Sequence, residues 1–183
     1  MELRGQDVVL VLKLLGGNSN LQSYAKLGEE LAVSASHAFE SVARAEAAHL
    51  LTAFQIPSSR NRRTAGLLPE PNRANLKEFL IHGVKYAFPV ERGAITRGIP
   101  TAEGAPPFLQ YFPVTRMLPP VWPYAEGSAQ GEAFSPLYKN VPQAAVRDPK
   151  LYELLALLDA IREGRARERE IAIRELTARI DSR

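Results

Sequence analysis

Three arginines stand almost side by side in Arg60-Asn61-Arg62-Arg63, and their chemistry is that of phosphate binding. Each guanidinium offers two parallel N–H bonds that match a phosphate, and each phosphate neutralised releases a counterion. A second set of polar groups lies upstream. Helical spacing puts Ser34, Ala35, Ser36, Phe39, Glu40 and Ala43 on one face, with His37 and Arg44 flanking it. Serines contact phosphates or bases, and Glu40 can accept from a cytosine amino group. Both sets suit double-stranded DNA, with the first holding the backbone and the second facing base edges.

Other reactive groupings are weak. The chain has no cysteine, which excludes disulfides, zinc-thiolate sites and a cysteine nucleophile. His37, His49 and His82 are far apart and lack a carboxylate at metal-ligand spacing, so they read as packing or surface residues. Nothing pairs a nucleophile with a base or assembles a metal triad; no enzyme, cofactor or metal is expected. The run ERGAITRGIPTAEGAPP (91–107) is neither a P-loop nor a dinucleotide fingerprint. Its Gly93, Gly98 and Gly104 are expected in turns of positive φ. Arg92, Thr96, Arg97 and Glu103 remain candidates for lining a ligand pocket. GRARERE (164–170) mixes both signs and reads as a solvated helix face laced with i,i+4 pairs.

The DNA-facing groups need elements to hold them. Val8, Leu12 and Leu15 recur at helical spacing over residues 4–15, stopped by Gly16-Gly17. A second helix is expected over 23–31 and a third over 34–50, with Ser34 as N-cap of the third. Leu27, Leu31 and Val33 supply apolar contacts, and Ala25, Gly28, Ala38 and Ser41 keep the helix crossing close. TAFQI and TAGLL then read as two arms of a hairpin whose tip is SSRNRR. Helix, helix, helix, hairpin is the order of a winged helix-turn-helix.

Residues 4–70, through YAKLGEELAVSASHAFESVARAE and the HLL leading into the presumed wing, resemble the winged-helix transcription regulators of bacteria, in particular the MarR-like arrangement. Ala32 and His49 stand where that arrangement usually has glycine. EFLIHGVKYAFPVERGAITRGIPTAEGAPP and LYELLALLDAIREGRARERE look like the C-terminal portion of uncharacterised bacterial winged-helix proteins. The resemblance implies sequence-specific binding of double-stranded DNA by a regulator, and it implies no chemistry for the tail.

Beyond residue 70, Asn72 is expected to cap a helix over 73–87 carrying Leu76, Phe79, Leu80, Val84 and Ala87. Ten of the 14 prolines then fall between 89 and 142, which excludes long helices there. The interleaved aromatics argue against disorder, so an ordered, irregular segment is expected. Two helices close the chain, with stripes Leu151, Leu154, Leu155, Leu158, Ile161 and Ile173, Leu176, Ile180. The reading is mainly α with a small β-wing, divided into a DNA-binding domain (1–70) and a helical, Pro-rich region (71–183) for interaction, dimerisation or ligand sensing.

A composition of 45% hydrophobic and 23% charged residues is ordinary for a soluble protein, and a net charge of +3 permits nucleic-acid binding without demanding it. The N-terminus does not read as a signal peptide, because its apolar run is short and broken by Lys13. No stretch approaches the apolar length of a membrane span, and a cytoplasmic location is expected. One winged helix reads half a site, so a homodimer is expected, held by an apolar stripe the small N-terminal domain cannot cover. The competing reading is a protein-interaction module, antitoxin-like or a scaffold, that keeps the helix-turn-helix without DNA.

Overall fold

A computed structural model of the chain describes residues 2–17, 23–52, 68–112 and 118–182. It is mainly helical, with a small three-stranded sheet. The chain divides into two units, Met1–Leu76 and Lys77–Arg183.

In the first unit, α1 (Gly5–Leu15) carries the run Val8 to Leu12, and all five of these side chains are buried. A helix apolar on every side belongs inside its unit, and α1 packs on α3 (Ala35–Ala47). α2 (Tyr24–Glu30) packs on α3 as well. Ser23 and Ser34 cap α2 and α3, their hydroxyls accepting from Lys26 N and His37 N, each at 3.2 Å. The α2–α3 turn is tight because Val33 N donates to the Gly28 carbonyl at 2.8 Å. A Cβ at position 28 would stand 2.6 Å from the Val33 oxygen, so only glycine fits there. Ala38 and Ser41 are buried at the crossing as expected, whereas Ala25 is exposed and takes no part in it.

Two residues of the first unit hold the left-handed backbone that usually selects glycine: Ala32 at φ 54° and His49 at φ 57°. Ala32 turns the chain between α2 and α3, and His49 turns it after α3. The chain then forms an antiparallel bridge between Leu51 and Pro71, with Thr52 N donating to Glu70 O and Asn72 N to Leu50 O. The expected tip Arg60, Asn61, Arg62 and Arg63, and nearly all of both hairpin arms, fall within 53–67, outside the described residues. Asn72 caps α4 (Arg73–Glu78) by accepting from Asn75 N. A π-helical turn, Phe79–Gly83, and α5 (Val84–Ala87) continue it.

The second unit holds the sheet, which corrects the expected irregular segment. β1 (Arg92–Pro100) pairs antiparallel with β2 (Pro120–Pro123) at one end and with β3 (Ala129–Phe134) along most of its length. β2 and β3 pair in parallel, which closes the three strands on themselves. Pro100, Pro120 and Pro123 sit at strand ends, where a missing N–H costs no ladder bond. Nor do Gly93, Gly98 and Gly104 occupy positive-φ turns; among the described glycines only Gly17 has positive φ. Gly98 lies in β1, where a Cβ would collide with the Trp122 carbonyl, and Gly131 in β3 faces Pro119 O in the same way. Glycine is needed here for close approach of strands.

Three helices complete this unit: α6 (Val141–Arg147), α7 (Pro149–Glu163) and α8 (Ala166–Asp181). Asp148 caps α7 by accepting from Lys150 N and Leu151 N. From Leu154 to Arg162 every side chain of α7 is buried, with α8, α6 and α5 packed on it. Most of the stripes expected to meet a second chain are covered within their own unit. Leu151, Leu154, Leu155, Leu158 and Ile161 of α7 and Leu176 and Ile180 of α8 are buried within the unit, as are Val8 and Leu12 within theirs, while Leu15 and Ile173 are half-buried. At the buried positions no apolar surface is left over for a second chain.

Candidate functional site

The first turn of α3 is open to solvent. Ser34, Ala35, Ser36, His37 and Glu40 are all exposed, while Ala38, Ser41, Val42 and Ala45 bury the opposite face. Phe39 and Ala43, expected on the open face, are half-buried; the Phe39 ring meets Tyr24 edge-on at 5.3 Å. The surface left free is small-chained and carries one formal charge, that of Glu40.

Arg44 requires a correction. Its side chain turns inward, 9% exposed, onto Asp7 of α1, which is fully buried. Nε and Nη2 donate to the two carboxylate oxygens at 2.8 Å each, and Nη2 donates also to Ser41 Oγ at 3.0 Å. Asp7 additionally accepts from Arg4 N. The bond to Asp7 raises the guanidinium's pKa above its ordinary value, against the pull of desolvation. Arg44 is therefore a clamp between α1 and α3. Lys13 is also buried and paired, with Glu30 at 3.2 Å, and Lys26 meets Glu29 at 3.0 Å. The bond from Lys13 holds the Glu30 carboxyl below its usual range.

In the cleft found among the described residues, none of Arg92, Thr96, Arg97 and Glu103 is a lining residue. Arg92 pairs with Glu163 at 2.6 Å and lies over the Phe134 ring, and Arg97 Nε donates to Gly127 O. The GRARERE segment starts α8: Glu168 accepts from Arg165 N, and Arg167 lies over Phe112. Farther along α8, Arg179 pairs with Glu175 at i,i+4 spacing, at 2.8 Å.

Two features of the second unit escaped the sequence. Asp159 on α7, 2% exposed, collects Thr101 Oγ1 at 2.8 Å, Trp122 Nε1 at 2.6 Å and Arg162 Nη1 at 2.7 Å. Burial pushes this carboxyl's pKa up, while the three donors pull it down. Arg162 donates further to the carbonyls of Phe88 and Ser135. This network ties α7 to the sheet.

The other feature is a cleft of about 250 Å³. Ile99 of β1, Ala145 and Val146 of α6, and Pro149 and Tyr152 of α7 make its walls; Glu126 and Ser128 of the β2–β3 turn make its rim. The Tyr152 hydroxyl donates to Pro100 O at 2.6 Å, and its ring meets Trp122 edge-on at 5.7 Å. Burial pushes the Tyr152 pKa up to about 12. The three histidines are exposed, and no group of metal-ligating residues occurs among the described residues. No helix described is long and apolar enough to cross a membrane.

No protein-family model matches the chain, and no curated protein or solved structure matches it.

Proposed function

We propose that the N-terminal unit is a winged helix-turn-helix that binds double-stranded DNA, and that the chain is a cytoplasmic transcription regulator. The observation carrying this reading is the solvent-open first turn of α3, presented by a tight turn at Ala32 and followed by an antiparallel bridge where a wing would begin. Short side chains at Ser34, Ala35 and Ser36 let the helix approach base edges closely, and Ser34, Ser36 and His37 supply donors. Lys13, Lys26 and Arg44 are occupied by carboxylates, and the phosphate contacts are assigned to Arg60, Arg62 and Arg63, with Asn61 beside them. Two copies would read a symmetric site, a pairing that sedimentation equilibrium of the full chain measures.

The test is duplex binding measured across salt concentration with DNA selected from a random library. Replacing all three arginines by alanine should flatten the log–log salt slope by up to about 2.7, at 0.9 per phosphate. Ala35→Glu, on the open face, should abolish binding with the fold intact. The near-neutral face of α3 favours one alternative, a protein-interaction module. Failure of the wild-type chain to bind any duplex at low salt, with a stoichiometric protein partner retained after nuclease treatment, would decide for that alternative.

A further inference from the structure

We infer that the cleft between the β2–β3 turn, α6 and the start of α7 binds a small organic cation: one apolar ring or short alkyl body bearing an ammonium group. The cleft lies wholly within the second unit, and the inference stands whether or not the first unit binds DNA. At about 250 Å³ it is below the usual range for drug-sized ligands and matches a single ring. Its walls are apolar. Val146, 61% exposed at the mouth, is an aliphatic side chain left uncovered, as are few others among the described residues.

The charge on the rim selects the ligand. Glu126 is the lining carboxylate, and within the described residues its one side-chain partner is the Tyr124 hydroxyl at 3.3 Å, with no cation within ion-pair distance. Arg97 reaches the same turn but commits its Nε to the Gly127 carbonyl. Tyr152 adds no charge, because its hydroxyl stays protonated through the physiological range and is already bonded to Pro100 O. An ammonium group therefore meets a carboxylate at the rim while its apolar body meets Ile99, Val146 and the Tyr152 ring. An anion would meet repulsion and an uncharged analogue would gain no ion pair.

The probes are 2-phenylethylamine, 2-phenylethanol and phenylacetate, a series of one shape and three charges, titrated into the full chain at millimolar concentration. Trp122 is the single tryptophan and touches Tyr152, so its fluorescence reports the cleft; methyl NMR shifts of Ala145 and Val146 locate the probe. The amine should bind tightest and phenylacetate weakest. Glu126→Gln should weaken the amine by up to about five-fold, the upper worth of an exposed ion pair, and bring it level with the alcohol. Val146→Phe, at an exposed position, should fill the mouth and weaken amine and alcohol alike, with the Trp122 spectrum of the free protein unchanged. Equal binding of amine and phenylacetate, indifference to Glu126→Gln, shifts at other methyls, or no binding to the wild type would each overturn the inference.

Discussion

Removing the Asp7 carboxylate tests whether Arg44 is a clamp or a DNA contact. Asp7→Ala leaves a guanidinium 9% exposed between α1 and α3, with Ser41 Oγ at 3.0 Å and Glu40 at 3.9 Å as its remaining acceptors. Stranding one member of a buried pair costs about 3–5 kcal/mol. Glu40 lies on the next turn and can draw the guanidinium outward, so the low end, about 3 kcal/mol, applies. That is a large share of the ~5–15 kcal/mol that holds a domain folded. Arg44→Met should cost a similar amount by stranding Asp7. Asp7→Leu with Arg44→Met replaces the pair by apolar groups and should recover most of the loss. Native-state hydrogen exchange at Val8 to Leu12 and Val42 to Ala45 reads the unit directly. Each single variant should exchange faster by about two orders of magnitude, and the double variant much less. Single variants that leave exchange unchanged, or an Arg44→Met that weakens DNA binding at unchanged exchange, would refute the clamp.

Ala32→Gly should stabilise the first unit by about 0.5–1 kcal/mol in a urea melt followed by far-UV circular dichroism, since relief of the left-handed strain outweighs the extra chain entropy of glycine. Acid should weaken both units through depressed carboxyls: Glu30, bonded by Lys13, and Glu175, bonded by the Tyr111 hydroxyl and Arg179. Their folded pKa values lie below the ordinary 4.5, so the stabilisation is complete above that pH and is lost as pH falls through the folded values. Glu30→Gln and Glu175→Gln should flatten the pH dependence of the urea midpoint below pH 4.5, each in the unit that contains it.

The helices were legible because their signals are local. Apolar spacing over a few residues placed α1, α2 and α3 within a few residues of their ends, and Ser34 marked the start of α3 through its own hydroxyl. The left-handed backbone at Ala32 and His49 was not legible from residue type, since neither is glycine. Nor was the sheet. β1 has no alternation of apolar and polar residues, and its glycines matter only because Trp122 and its neighbours come from another strand. Arg44 looked like a surface cation because its partner Asp7 is 37 residues away. The Asp159 network and the cleft likewise assemble from separate segments, joining residues 37 and 58 positions apart in the first case.

The hydrogen bond from Arg162 to the Phe88 carbonyl spans 74 residues, and that interval has a meaning during synthesis. A ribosome adding about 5–20 residues per second needs roughly 4–15 s to pass from one partner to the other. Between the completion of β3 at Phe134 and the arrival of Asp159 and Arg162, the strands are made but the helix that receives their buried donors is not. Trp122 and Thr101 then have no Asp159 to receive them, and Phe134 has nothing to cover it. The nascent chain thus passes through a stage in which its first 76 residues are complete and its second unit is an apolar, half-satisfied tail. A chain stopped short of Arg162 would remain at that stage, a natural client for chaperones and proteases.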